Sequence, residues 1–296
     1  MTQFRRMHPI LIALVLVACT AAPLNPNNTF QATSAEVTLE ATEVEVTRTP
    51  PPTAQATPIF SQLNQELAMR GSFSADVAAL DGIPVYQLSI EVEFNQAMDQ
   101  ATISGDLYLT FDAPGEEALT RFPLMLWPNN EQYQADMTVS SAVVNGYAVD
   151  PQADGVAPAI WLELYQPVEP GQEVVAALSF EVVAYEIGQA APKRFGITPG
   201  GVLIAPTFYP LLPLWLGDGW QVEQAPPGGD TTNSEVAFYE IEINAPADLG
   251  LAASGAEVDR QETNDGRQHL RLATGPVRDV AFALGPFEVL IDEVGE

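Results

Sequence analysis

Tyr86-Gln87-Leu88-Ser89-Ile90-Glu91-Val92-Glu93-Phe94 places a large apolar side chain at every second position and a polar one between each pair. Successive side chains of a strand point to opposite faces, so this alternation predicts a strand with one face in a core and the other in water. Beyond a polar loop, Ile103, Leu107, Leu109 and Phe111 repeat the pattern. An antiparallel hairpin is the simplest pairing of the two runs. Further runs follow at Phe122, Leu124 and Leu126, at Met137, Val139 and Val143, and at Ile160, Leu162 and Leu164. They continue at Val174, Ala176, Leu178, Phe180 and Val182, at Tyr239, Ile241 and Ile243, and at Leu270 and Leu272. The connections carry turn formers such as Asn145-Gly146, Pro170-Gly171 and Asp265-Gly266. Ile59, Leu63 and Leu67, four residues apart, predict a short helix at the entry. No long amphipathic helix is predicted, so the fold class is all-β, an antiparallel sandwich or barrel.

The N-terminal side differs. Arg5 and Arg6 precede eight apolar residues, Ile10 to Val17, in the order of a secretion signal. Leu16-Val17-Ala18-Cys19 resembles the lipobox of bacterial lipoproteins, which implies cleavage after residue 18 and lipid attachment at Cys19. Two acyl chains suffice for stable anchoring. From Thr20 to Pro58 there are nine Thr, seven Ala and six Pro but no Trp or Tyr, a composition that predicts a disordered stalk. The expected organisation is a signal over 1–18, a lipidated stalk over 19–58 and an all-β domain over 59–296. The expected location is the extracytoplasmic face of a bacterial membrane, in the cell envelope.

Cys19 is the sole cysteine, so no disulfide forms within the chain. Formal charge is −28, and removal of Arg5 and Arg6 with the signal takes it to −30. A surface of that sign repels nucleic acid and anionic headgroups, so no nucleic-acid partner is expected.

Only His269 remains of two histidines once the signal is removed. A catalytic zinc commonly uses two or three His ligands, as in HExxH, and that motif is absent, so neither metal nor cofactor is expected. His269 lies between Arg267 and Arg271, opposite in phase to Leu270 and Leu272, and is expected on a solvated strand face. No G-x-S-x-G, Walker A or G-x-G-x-x-G segment occurs. Carboxylate pairs suited to glycoside hydrolysis cannot be singled out among 39 acids. Asp218 and Asp230 stand beside glycines, where they read first as turn formers and second as calcium ligands.

The stretch from Phe195 to Trp220 concentrates Phe208, Tyr209, Trp215 and Trp220 among Pro199, Pro206, Pro210 and Pro213. Proline interrupts strands, so an ordered loop folded over the sheet is expected. Its aromatics serve either as core or as a docking surface, since Trp and Tyr are favoured at interface centres.

The order of these segments resembles the N-terminal domain of gluzincin aminopeptidases of the aminopeptidase N type. Tyr86, Leu88 and Ile90, the Ile103-x-Gly105 step, FPLMLWPN over 122–129, and Val144-Asn145-Gly146 carry the first part of the resemblance. Leu162, Leu164, Pro167 and Pro170-Gly171 extend it, followed by Tyr209-Pro210, Gly219-Trp220 and Gly229-Asp230. Ala237, Tyr239, Pro246 and Ala252-Ala253-Ser254-Gly255 complete it. The resemblance implies a saddle-like all-β domain that packs against a thermolysin-like catalytic domain. Arg278-Asp279-Val280-Ala281 is similar to the family's approach to that domain, but no GxMEN or HExxH segment occurs in the 296 residues. No catalytic or zinc-binding residue is therefore carried over.

These readings lead to a non-catalytic, lipid-anchored domain that binds or scaffolds at the envelope, with a protein such as a peptidase catalytic domain as partner. The rivals are the non-catalytic half of a split zinc aminopeptidase and an unrelated carboxylate-dependent hydrolase.

Overall fold

The computed structural model describes residues 60–188, 194–217, 219–224 and 233–290, and the fold is all-β. Cys19, the signal, the stalk, Ile59, Asp218 and Asp230 lie outside the described residues. In chain order the strands are β1 (Val85–Phe94), β2 (Gln100–Asp112), β3 (Leu119–Met125), β4 (Ala135–Val144), β5 (Tyr147–Ala148) and β6 (Gln152–Ala153). Next come β7 (Ala159–Val168), β8 (Glu173–Tyr185), β9 (Gly196–Ile197), β10 (Leu203–Pro206), β11 (Trp215–Leu216) and β12 (Gly219–Trp220). The last five are β13 (Ala237–Pro246), β14 (Gly250–Ala253), β15 (Ala256–Glu262), β16 (Arg267–Val277) and β17 (Ala281–Gly285).

One eight-stranded sheet dominates, in the order β15-β16-β13-β1-β2-β8-β4-β5. Its inner face carries Tyr86, Leu88, Ile90 and Val92 of β1, Ile103, Leu107 and Leu109 of β2, Val174 to Val182 in alternation on β8, and Tyr239, Ile241 and Ile243 of β13, all buried. The smaller sheets β14-β17-β10-β9, β3-β7-β6 and β11-β12 join the same core. Phe111 of β2 meets Phe122 of β3 edge to face at 5.0 Å, and Tyr86 meets Tyr209 at 5.6 Å.

The expected β1-β2 hairpin is present, Tyr86 opposite Leu109 and Leu88 opposite Leu107. On its other side β1 pairs with β13 in parallel, Tyr86 opposite Tyr239, so the large sheet is mixed rather than wholly antiparallel. The run Met137, Val139, Val143 also needs correction. A bulge between Val139 and Ser141 inserts one residue, so Ala142 and Val144 are buried while Val143 is only half-buried. Gly105 explains the gap in the inner run of β2. A β-carbon there would lie 2.5 Å from Phe180 and 2.9 Å from Ile90, its cross-strand neighbours, so the Phe180 ring occupies the missing side chain's place.

On the outer face Arg267 ties β1, β13 and β16 together. Its guanidinium reaches Glu91 at 3.2 Å, pairs closely with Glu93, and donates to the Asn244 side chain at 2.8 Å and to the Asn244 carbonyl at 3.1 Å.

A strap precedes β1, made of a short helix, α1 (Gln62–Leu67), and a 3-10 turn over Gly71–Ala79. Ser61 caps α1 by accepting from the Asn64 N–H. The helix is where the spacing of Leu63 and Leu67 put it, but both leucines are 65% exposed. Gln65, on the opposite face, is fully buried instead. Its Nε2 donates to the Tyr239 carbonyl at 2.9 Å and its Oε1 accepts the Gly275 N–H at 2.9 Å, so one amide fastens the strap to β13 and β16.

Candidate functional site

The segment after β9 folds over the inner face, as its prolines suggested, and is woven into it by short pairings. Leu211 exchanges both backbone hydrogen bonds with Met125, at 2.7 and 3.0 Å. Phe208 is 1% and Tyr209 0% exposed, so of the two roles open to these aromatics, core and docking surface, this pair has the first. Phe208 packs edge to face on Phe282 at 4.9 Å, and Tyr209 sits edge-on to Tyr86 and Tyr239, each at 5.6 Å. The rings of Tyr86 and Tyr239 stack at 4.7 Å.

The three phenols are thus held in the buried interior. The Tyr86 hydroxyl accepts the Leu212 N–H at 3.0 Å, and the Tyr239 hydroxyl donates to the Arg278 carbonyl at 3.0 Å. The Tyr209 hydroxyl lies beside the Tyr239 hydroxyl and the Val280 backbone, and both favour its ionisation, less strongly than burial opposes it. Burial, the largest cause, pushes all three phenols well above 10.0. Mutual repulsion of the phenolates reinforces the shift at Tyr209 and Tyr239.

Trp215 and Trp220 behave differently. They face each other across the β11-β12 hairpin, edge to face at 5.1 Å, with a turn at Gly217. Trp220 leans on core Phe111 at 6.1 Å. Trp215 covers Gly115, where an added β-carbon would come within 3.0 Å of the indole. Both tryptophans are half-buried and Leu216 beside them is 53% exposed, so the hairpin presents apolar surface to solvent from a footing in the core.

His269 is half-buried on β16, opposite Asn244 of β13 and Gln261 of β15. Among the described residues no three His, Cys, Asp or Glu side chains cluster closely enough to hold a metal ion. The zinc of the resembled family therefore has no fitting donor set among them. No helix among the described residues is long and apolar enough to cross a membrane.

No family model and no curated protein matches the chain. Among solved structures it is similar to an M1 zinc metallopeptidase from Deinococcus radiodurans, at 24% identity and a TM-score of 0.47, over 69% of this chain and 42% of that one. A mutant of the Deinococcus radiodurans enzyme bound to a Tyr-Ser-Ala substrate gives 24% identity and a TM-score of 0.47, over 69% of this chain and 43% of that one. The chain spans less than half the length of these structures, and the likeness is one of fold.

Proposed function

We propose that this chain is a non-catalytic domain of the bacterial envelope, lipid-anchored at Cys19, that binds or scaffolds a protein partner through the β11-β12 hairpin. The observation that carries the reading is the hairpin itself. Trp215 packs edge to face on Trp220, which itself leans on core Phe111, and with Leu216 exposed beside them they form an apolar projection of the kind that anchors interfaces. A peptidase catalytic domain is the partner that the sequence resemblance implies. Anchoring rests on the apolar run ending at Ala18-Cys19.

Two variants test the proposal. Cys19→Ser is expected to abolish lipid attachment and release the protein from washed membranes; retention of the variant in the membrane fraction would refute the anchor. Trp215→Ser should weaken cross-linking of the membrane-held protein to its partner by about tenfold, the effect of losing a hot-spot tryptophan. Because Trp215 is only half-buried, the melting temperature should fall by less than about 4 °C, corresponding to roughly 1 kcal/mol. A large drop in melting temperature with unchanged cross-linking would assign Trp215 to the core and remove the docking role.

A further inference from the structure

The strap ahead of β1 presents its apolar side outward. Leu63 and Leu67, one turn apart on α1, are each 65% exposed, and Phe73 in the 3-10 turn that follows is 51% exposed. An ordinary surface helix does the reverse and turns its apolar stripe to the core. The orientation is fixed by the domain. Gln65 is fully buried, and its amide holds the Tyr239 carbonyl and the Gly275 N–H. The Ser61 N–H pins the start of the same helix by donating to the Glu240 carboxylate at 2.7 Å. Rotating the leucines inward would break these bonds, so the apolar face is kept toward solvent.

Two further observations say what meets it. The first is charge: residues 60–80 hold Glu66 and Asp76 against Arg70, a net of −1 in a chain of −28. Charges act over about 8 Å at physiological salt, so the strap's own balance decides what it can approach. A nearly neutral apolar face suits a lipid surface, and exposed Arg70, close after Leu67, reaches toward headgroup phosphates along its apolar stem. The second is place. The tether proposed over residues 19–58 enters the domain directly ahead of the Ser61 cap. A coil of about forty residues spans on the order of 40 Å, so a chain anchored at Cys19 holds the strap within that reach of the bilayer. At so high an effective concentration, a contact too weak to hold a free protein is occupied.

We propose that the outward face of the strap, Leu63, Leu67 and Phe73, lies on the bilayer in which Cys19 is anchored, with these side chains among the lipid headgroups and upper acyl chains. The inference rests on the proposed anchor and is independent of the hairpin. Docking the strap fixes which side of the domain faces the membrane, a second point of attachment that the lipid alone does not supply.

The test exploits the sole cysteine. Lipidation consumes the Cys19 thiol, so Leu67→Cys gives the full chain one thiol for a nitroxide label. Val156→Cys, at an 86% exposed position between β6 and β7, is the control. The labelled chains are placed in phosphatidylcholine vesicles, and collisions with oxygen and with a water-soluble nickel chelate are measured. An interfacial apolar face sits about 5–10 Å into the headgroup boundary, so the oxygen-to-nickel ratio at residue 67 should exceed that at residue 156 by about fivefold. Adding Leu63→Ser and Phe73→Ser should bring the ratio at residue 67 down to the control value. Both side chains are exposed, so the melting temperature should move by no more than about 4 °C. Equal ratios at the two positions in a chain that floats with the vesicles would overturn the inference and leave the anchor standing. Low collision rates with both reagents at residue 67 would assign the face to a protein contact and overturn it as well. A chain that fails to float would refute the anchor, and this inference with it.

Discussion

Raising the pH above 10 is expected to destabilise the protein by about 4 kcal/mol per pH unit. Tyr86, Tyr209 and Tyr239 are buried as neutral phenols, with pKa values in the folded state above the 10.0 of an unfolded chain. Below pH 10 both states keep these protons, and the stabilisation is fully present. Above it the unfolded state releases them while the folded state does not. Stability then falls by about 1.4 kcal/mol per pH unit for each phenol until the folded values are reached. Against a total of about 5–15 kcal/mol for an ordinary domain, three such groups unfold the chain within a few pH units. Phenolate absorbance near 295 nm and far-ultraviolet circular dichroism, recorded on one titration, should show a late phenolate step that coincides with loss of the β-sheet signal. Tyr86→Phe should reduce the slope by about a third, as one of the three protons is gone. Full phenolate absorbance in a chain with an intact sheet signal would show that the three rings titrate in the folded state and would refute the argument.

The second large effect is expected at Gln65. Gln65→Leu keeps the volume but strands the Tyr239 carbonyl and the Gly275 N–H without their partner. Each buried polar group left unmatched costs about 1–3 kcal/mol, so the variant should lose about 3 kcal/mol. In a folded part of this size that lowers the melting temperature by roughly 6–12 °C. Leu63→Ala and Leu67→Ala, on the exposed face of the same helix, should change stability by less than about 0.5 kcal/mol. Denaturant melts of the three variants decide the matter: a costly Leu67→Ala beside a neutral Gln65→Leu would mean the strap docks through its leucines.

Gln65 also shows where sequence reasoning stops. The spacing of Leu63 and Leu67 located α1, but periodicity assumes that the apolar side is the buried one. Here two hydrogen bonds to strands more than 170 residues away outweigh two leucines. The strands were legible because the period of two comes from the backbone alone, and Tyr86 to Phe94 alternates along its length. The bulge after Val139 was not legible, since one inserted residue carries no signature in composition. The parallel pairing of β1 with β13 was hidden for another reason: alternation tells which face is buried and not which strand lies alongside. Phe208 and Tyr209 had both readings open at the sequence level because an aromatic next to proline suits a core and an interface alike.

The pairing of β1 with β13 also imposes an order in time. Tyr86 meets Tyr239 only after about 150 further residues have been made, and β16 then docks on the far side of β13. Pairings between such distant segments are slow to form, because the intervening chain must first be gathered in. Until then β1 can pair with β2, and β2 with β8, but β1 keeps one side unpaired, so the sheet stays open along that strand for most of the chain's synthesis. A central strand that waits so long for its second neighbour offers its free edge to any other strand that meets it first, so faulty pairing is the risk this topology carries.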